Sequence, residues 1–159
     1  MSTIEELNTA GRVVRVRGNL RSHQQPTRRL YVTAECIEWM KNVLTAASSD
    51  GFVDGAATPK EQVYSLVNKF ISGDDFDKPF PHPMFPEVDG VYRFRTADVR
   101  LDGWFPEPCC FVVAAMELKE NCAAVKGRDN EMRDQVIRIR EELQINDGAY
   151  LTGDYNDHL

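Results

Sequence analysis

The feature that most constrains this chain is a change in the spacing of its apolar residues at Gly90. Downstream of it the period is two. Val91-Tyr-Arg-Phe-Arg-Thr96 and Val99-Arg-Leu-Asp-Gly-Trp-Phe105 alternate, and Ala97-Asp98 between them has the length of a tight turn, so a strand pair is predicted. Pro106-Glu-Pro108 makes a second turn. Cys109 to Leu118 is apolar at nearly every position, as in a central strand covered on both faces.

Upstream the spacing is helical. Thr33 reads as an N-cap ahead of Ile37, Met40, Val43 or Leu44, and Ala47, and Ser48-Ser-Asp-Gly51 ends that run. Thr58-Pro59-Lys60-Glu61 reads as a capping box with proline at the first helical position. It leads into Val63, Leu66, Val67, Phe70 and Ile71 and closes at Ser72-Gly73. A short glycine-containing loop between the two predicts an antiparallel helical hairpin. Asp74 to Asp89 carries Pro79, Pro81, Pro83 and Pro86, which excludes regular structure, while Phe76, Phe80 and Phe85 predict a loop that packs down.

At the ends, residues 1–11 read as a polar lead-in. Arg12-Val-Val-Arg-Val-Arg17 reads as a half-buried strand with Val14 and Val16 inward and Arg15 and Arg17 outward, and Gly18 to Arg29 as a mobile loop. A loop at Asn121 to Gly127 precedes a last helix, capped by Asp129 and buried along Met132, Val136, Ile139 and Leu143. Residues 147–159 form a polar tail. The expected order is strand, helix, helix, strand, strand, strand, helix. That is one α+β domain over 1–159, with a core at about 12–144: a small, mainly antiparallel sheet on a helical hairpin plus a C-terminal helix.

The net charge of −6 at first argues against a nucleic-acid partner, but it averages two unlike regions. From Leu7 to Ala34 there is no acidic residue, yet Arg12, Arg15, Arg17, Arg21, Arg28 and Arg29 all lie there. If Tyr92 and Phe94 face the helices, Arg93 and Arg95 share the opposite side with Arg100. Arg15 and Arg17 then bring the guanidinium groups on one open sheet face to five. Such asymmetry points to an anionic partner. Asp98, Asp102 and Glu117 are the acids placed to neutralise it.

The run Phe111 to Met116 is far short of the roughly 20 residues that span a bilayer, so no membrane association is expected. The acidic start, Met-Ser-Thr-Ile-Glu-Glu-Leu, has no apolar signal core, which predicts a cytoplasmic protein. Cys36, Cys109, Cys110 and Cys122 show no zinc-ligand spacing, and no metal site is expected. No phosphate-binding glycine loop, serine elbow or Glu-x-x-His pair is present, which removes nucleotide, serine-type and zinc-dependent hydrolysis.

In element order over residues 12–144, and most sharply in Gly90-Val-Tyr-Arg-Phe-Arg-Thr-Ala-Asp-Val-Arg100, the chain resembles the RelE/ParE superfamily of bacterial toxins, including its phage-derived, HigB-like branch. Trp104-Phe105, the apolar strand 109–118 and Lys119 also fit. The resemblance implies a toxin-like component of a toxin–antitoxin system: a metal-independent, cofactor-free endoribonuclease cutting mRNA at the ribosome, held in check by a cognate antitoxin protein. Such chemistry needs cations on the scissile phosphate, a proton acceptor for the ribose 2′-hydroxyl and a donor for the leaving oxygen. Arg95 and Arg100 match the phosphate-holding positions and Arg93 is their neighbour. Lys119 and His82 are the candidate helpers, while Arg15 and Arg17 are further RNA contacts. The alternative is a non-catalytic protein of the same fold that binds a protein partner, as a gyrase-type inhibitor or a phage or mobile-element interaction protein.

Overall fold

The computed structural model describes residues 3–47, 57–73, 82–83 and 89–159. The expectations for Ser48 to Gly51, for most of the proline-rich segment and for Phe76, Phe80 and Phe85 lie outside these residues.

The class is α+β. The chain begins with a short helix, α1 (Ile4–Thr9), in place of the expected lead-in. Thr3 and Glu6 form a reciprocal capping box, and Ile4 and Leu7 are buried. Six residues are too few for a helical period to show in sequence. Strand β1 (Val13–Val16) follows, and then β2 (Arg29–Thr33), a strand absent from the expected order. Thr33 ends β2 and caps α2 (Ala34–Asn42), its hydroxyl accepting from Cys36 N at 3.4 Å. After a 3-10 turn at Leu44–Ala46 comes α3 (Pro59–Ser72). Thr58 caps it by accepting from Glu61 N at 3.3 Å, and Gly73 closes it at φ 82°. The two-residue β3 (His82–Pro83), β4 (Tyr92–Arg95), β5 (Val99–Glu107) and β6 (Cys110–Leu118) complete the strands. Helix α4 (Lys119–Ala124) occupies most of the expected loop before α5 (Arg128–Leu143).

Among the described residues these strands form one sheet in the order β1-β2-β6-β5-β4-β3. All neighbours are antiparallel except β2 and β6, which run parallel. One face carries α2 and α3, whose Cys36, Val63, Val67, Phe70 and Ile71 meet Tyr92, Phe94, Val99, Leu101, Phe105 and Phe111. The other face is not open, as the sequence suggests. Instead α1 and α5 cover it, with Ile4, Leu7, Met132, Val136, Ile139 and Leu143 against Val13, Tyr31, Trp104 and Val112. Trp104 and Phe105 are thus core residues on opposite faces.

The orientation of β1 also differs from its pattern. Val13, with no exposed surface, and Arg15 share the face of Tyr31, while Val14 is 40% exposed. The segment after β1 is fastened to α3 by Asn19 N to Asn68 Oδ1 at 2.7 Å and Thr27 N to Ile71 O at 2.8 Å. The tail also docks: Leu151 N donates to Phe105 O at 2.9 Å, Cys109 N to His158 O at 2.8 Å, and the His158 ring is buried against Tyr92 and Phe105.

Candidate functional site

The β4–β5 hairpin positions the arginines that the sequence singles out. Its turn is pinned by Gln62 of α3. The Gln62 amide nitrogen donates to Asp98 Oδ2 at 2.6 Å, and its oxygen accepts from Thr96 Oγ1 and Asp98 N, each at 2.9 Å. Alternation then sends Tyr92, Phe94, Val99 and Leu101 toward α3. Arg93, Arg95, Arg100 and Asp102 go to the face of α5. In register Arg93 lies opposite Asp102 and Arg95 lies opposite Arg100.

The first of these pairs is a buried ion pair. Arg93 donates from Nε to Asp102 Oδ1 at 2.7 Å and from Nη2 to Oδ2 at 3.0 Å, and its Nη1 lies 2.8 Å from Asp129 Oδ1. Asp102 has no exposed surface and Arg93 is 8% exposed. Burial pushes the Asp102 carboxyl up to about 6, against the opposing pull of Arg93. Burial also works against the charge on Arg93, but its bonds to Asp102 and Asp129 outweigh that and raise it. Arg93 therefore ties the sheet to α5 and does not present a free cation.

The second pair sets two like charges directly across the ladder, an arrangement that costs stability. Partial burial, then the charge of Arg93, holds Arg95 below the usual arginine value. Burial and the charges of Arg93 and Arg95 do the same to Arg100. The three acids that the sequence places near Arg100 are each bound to another group. Asp102 is bound to Arg93, and Asp98 accepts from Gln62. Glu117, opposite Arg100 in the ladder, accepts from Arg128 Nε at 3.0 Å, Asn121 Nδ2 at 3.0 Å and Leu118 N at 2.9 Å. Arg100 Nη1 donates to the carbonyls of Thr96 at 2.7 Å and Val99 at 3.1 Å, and no described carboxylate lies within ion-pairing distance of it.

Lys119 is exposed at the start of α4, and its backbone N donates to Asp98 O at 2.8 Å, so it stands at the same sheet end as the pair. His82 lies in β3, in register opposite Arg93. Arg15 and Arg17 do not join this group. Arg15 is in β1 and Arg17 just past it, three strand spacings from β5, roughly 14 Å at about 4.8 Å each. The expected five-guanidinium face is thus divided, with Arg93 neutralised and the β1 arginines at the far edge.

Sequence reasoning missed Gln62 and Arg128 and gave Asp129 the wrong role: Gly127, not Asp129, is the N-cap of α5, and Asp129 lies in its first turn and pairs with Arg93. A glutamine on a helix face carries no signal, and the Arg128–Glu117 and Arg93–Asp129 pairs depend on α5 covering the second face. Burial pushes the Cys36 and Cys110 thiols up to about 12 and Cys122 to about 11, which keeps these three protonated and poor nucleophiles. Among the described residues there is no group of three or more His, Cys, Asp or Glu that would hold a metal ion, and no helix long and apolar enough to cross a membrane.

No protein-family model, curated protein or solved structure matches the chain. The guanidinium groups of Arg95 and Arg100 face each other at a sheet end, with the Arg93–Asp102–Asp129 cluster behind them and Lys119 beside them.

Proposed function

We propose that this chain is an RNA-binding protein of the toxin-like, RelE/ParE kind, and that Arg95 and Arg100 hold a backbone phosphate of mRNA. One observation carries the reading: Arg100, in register opposite Arg95, forms no ion pair with a described carboxylate, while Asp98, Asp102 and Glu117 are each bound to another group. A phosphate between the two would relieve their repulsion and use the planar donor forks that suit its oxygens. The ribosome and a cognate antitoxin protein are the partners this reading carries with it, in the cytoplasm.

As an endoribonuclease, the site would direct a ribose 2′-oxygen onto the adjacent phosphorus. The new P–O bond closes a 2′,3′-cyclic phosphate while the bond to the 5′-oxygen breaks, the 2′-hydroxyl proton leaving to a base and the 5′-oxygen taking one up. Arg95 and Arg100 would offset the charge gathered on phosphorus, and Lys119 stands near enough to the hairpin turn to serve the leaving oxygen. His82 is the remaining candidate for the base. The neighbouring carboxylates Asp102 and Glu117 are engaged with Arg93 and Arg128. This engagement favours the second reading, a non-catalytic protein of the same fold that binds a protein partner through the same surface.

Mapping of mRNA 5′ ends in a translation reaction supplied with the purified protein separates the two. New ends that appear with the wild type and vanish with Arg95→Gln/Arg100→Gln support the nuclease. An absence of new ends with the wild type supports the non-catalytic protein.

A further inference from the structure

The acid-free segment divides, in the structure, into arginines that are used and arginines that are not. Arg28 is buried and caps the end of α3, donating to Phe70 O at 3.2 Å and Gly73 O at 3.3 Å. Arg29 pairs with Glu107 and lies 3.9 Å from Glu5. These two serve the fold. Arg15, Arg17 and Arg21 form no ion pair with any described residue; Arg17 and Arg21 line, together with Arg28, one cleft of about 260 Å³ between β1, the segment after it and the end of α3, which Arg15, on the Tyr31 face of β1, borders from the strand. Gln24 adds a polar wall, Ile71 lies at the α3 side, and no carboxylate lines the cleft.

The walls are fixed before any ligand arrives. Gly18 turns the chain at φ 66°, so close to α3 that a Cβ there would lie 2.3 Å from Asn68 Oδ1. Asn19 N is bonded to that same Oδ1. Arg21 and Gln24 close a local turn, with Arg21 N donating to Gln24 Oε1 at 2.8 Å and Gln24 N to Arg21 O at 2.9 Å. Thr27 is tied to Ile71. Holding the like charges of Arg17, Arg21 and Arg28 around one cleft is unfavourable, and a preorganised wall lowers the cost of binding what relieves it.

From this we propose that the cleft between β1 and α3 is a phosphate-binding site, distinct from the Arg95–Arg100 pair and independent of it. Guanidinium groups stay charged at any physiological pH and match phosphate oxygens with paired donors. The volume lies just below the range of about 300–1,000 Å³ typical of pockets for drug-sized ligands, a size for a phosphate and the sugar that bears it. The phosphate comes either from a free nucleotide or from an RNA strand.

The test is an amide ¹H–¹⁵N NMR titration of the full chain with uridine 5′-monophosphate, with uridine, and with a 12-residue oligouridylate. Uridine 5′-monophosphate is expected to shift amides within residues 15–28 while uridine does not. Arg15→Gln/Arg17→Gln/Arg21→Gln should weaken that binding at least tenfold, with a spectrum unchanged elsewhere as proof of folding. Arg12→Gln, outside the cleft, should bind as the wild type does. Oligouridylate affinity about 100-fold above that of the monophosphate marks a strand as the ligand, and equal affinity marks a free nucleotide. Shifts confined to residues 93–100, or a triple variant that binds undiminished, would overturn the proposal while leaving the Arg95–Arg100 reading intact.

Discussion

Gln135 of α5 donates from Nε2 to the carbonyl oxygen of Ala114 at 2.9 Å, and Ala114 is the residue that the β5–β6 ladder skips. Asp102 pairs with Ala115 and Gly103 with Val113, so Ala114 is the extra residue of a β-bulge. Its carbonyl lies in the buried interior between sheet and helix, and Gln135 satisfies it. Gln135→Ala is expected to lower stability by about 1–3 kcal/mol, the cost of a buried polar group left unpaired, measured by urea denaturation.

Gly103 faces the same bulge. A Cβ there would lie 1.9 Å from the Val112 carbonyl oxygen, a backbone atom that has no freedom to retreat. Gly103→Ala should therefore destabilise by about 3 kcal/mol, the upper end of overpacking costs, seen as a lower denaturation midpoint. Gly127→Ala tests the contrast, since no atom lies within 4 Å of its Cβ position and only the positive φ is strained.

The Arg93–Asp102 pair is expected to hurt when halved and not when replaced whole. Asp102→Ala strands a buried guanidinium with Asp129 alone and should cost about 3–5 kcal/mol, whereas Arg93→Met/Asp102→Leu should recover most of that. The carboxyl of Asp102 is raised from its usual 3.8 to about 6 by burial. Its contribution to stability is then complete below 3.8 and is lost as pH rises through about 6. The double variant lacks this loss, so its stability relative to wild type should grow between pH 4 and pH 7 in denaturation measured across that range.

Glu117 works in the opposite direction. Partial burial would raise it, but Asn121, the Leu118 amide and Arg128 together hold it below its usual 4.5. Its stabilising contribution is present above 4.5 and lost as pH falls through the lower folded value. Glu117→Gln should be less stable than wild type at pH 7, and the difference should shrink as pH drops below 4.5.

Parts of this structure are written plainly in the sequence. Thr58-Pro59 starts α3, the stripe Met132, Val136, Ile139 and Leu143 is the buried face of α5, and Tyr92 and Phe94 do point toward α3. Strand β2 is hidden because Leu30-Tyr31-Val32 is buried on both faces, and three apolar residues in a row have no period to read. In β1 the adjacent Val13 and Val14 allow either phase, and the pattern of Val14 and Val16 favours the wrong one as the buried face. The site is legible in its residue types but not in its charge balance. That Arg93 is neutralised and Arg100 is not depends on which acids α3 and α5 engage, and Gln62 and Arg128 settle that by reaching groups far away in sequence.

The most direct test is the binding of a 5′-labelled, 12-residue single-stranded RNA, followed by fluorescence anisotropy over a range of salt concentrations. If Arg95 and Arg100 hold a phosphate, Arg95→Gln/Arg100→Gln should bind at least tenfold more weakly than wild type, and its salt dependence should flatten by about 0.7 in log–log slope for each phosphate that the variant no longer neutralises. Arg138→Gln, an exposed change on the outer side of α5, should leave both quantities as they are. An Arg95→Gln/Arg100→Gln variant that binds with wild-type affinity and slope, or a wild type that does not bind the RNA, would contradict the account.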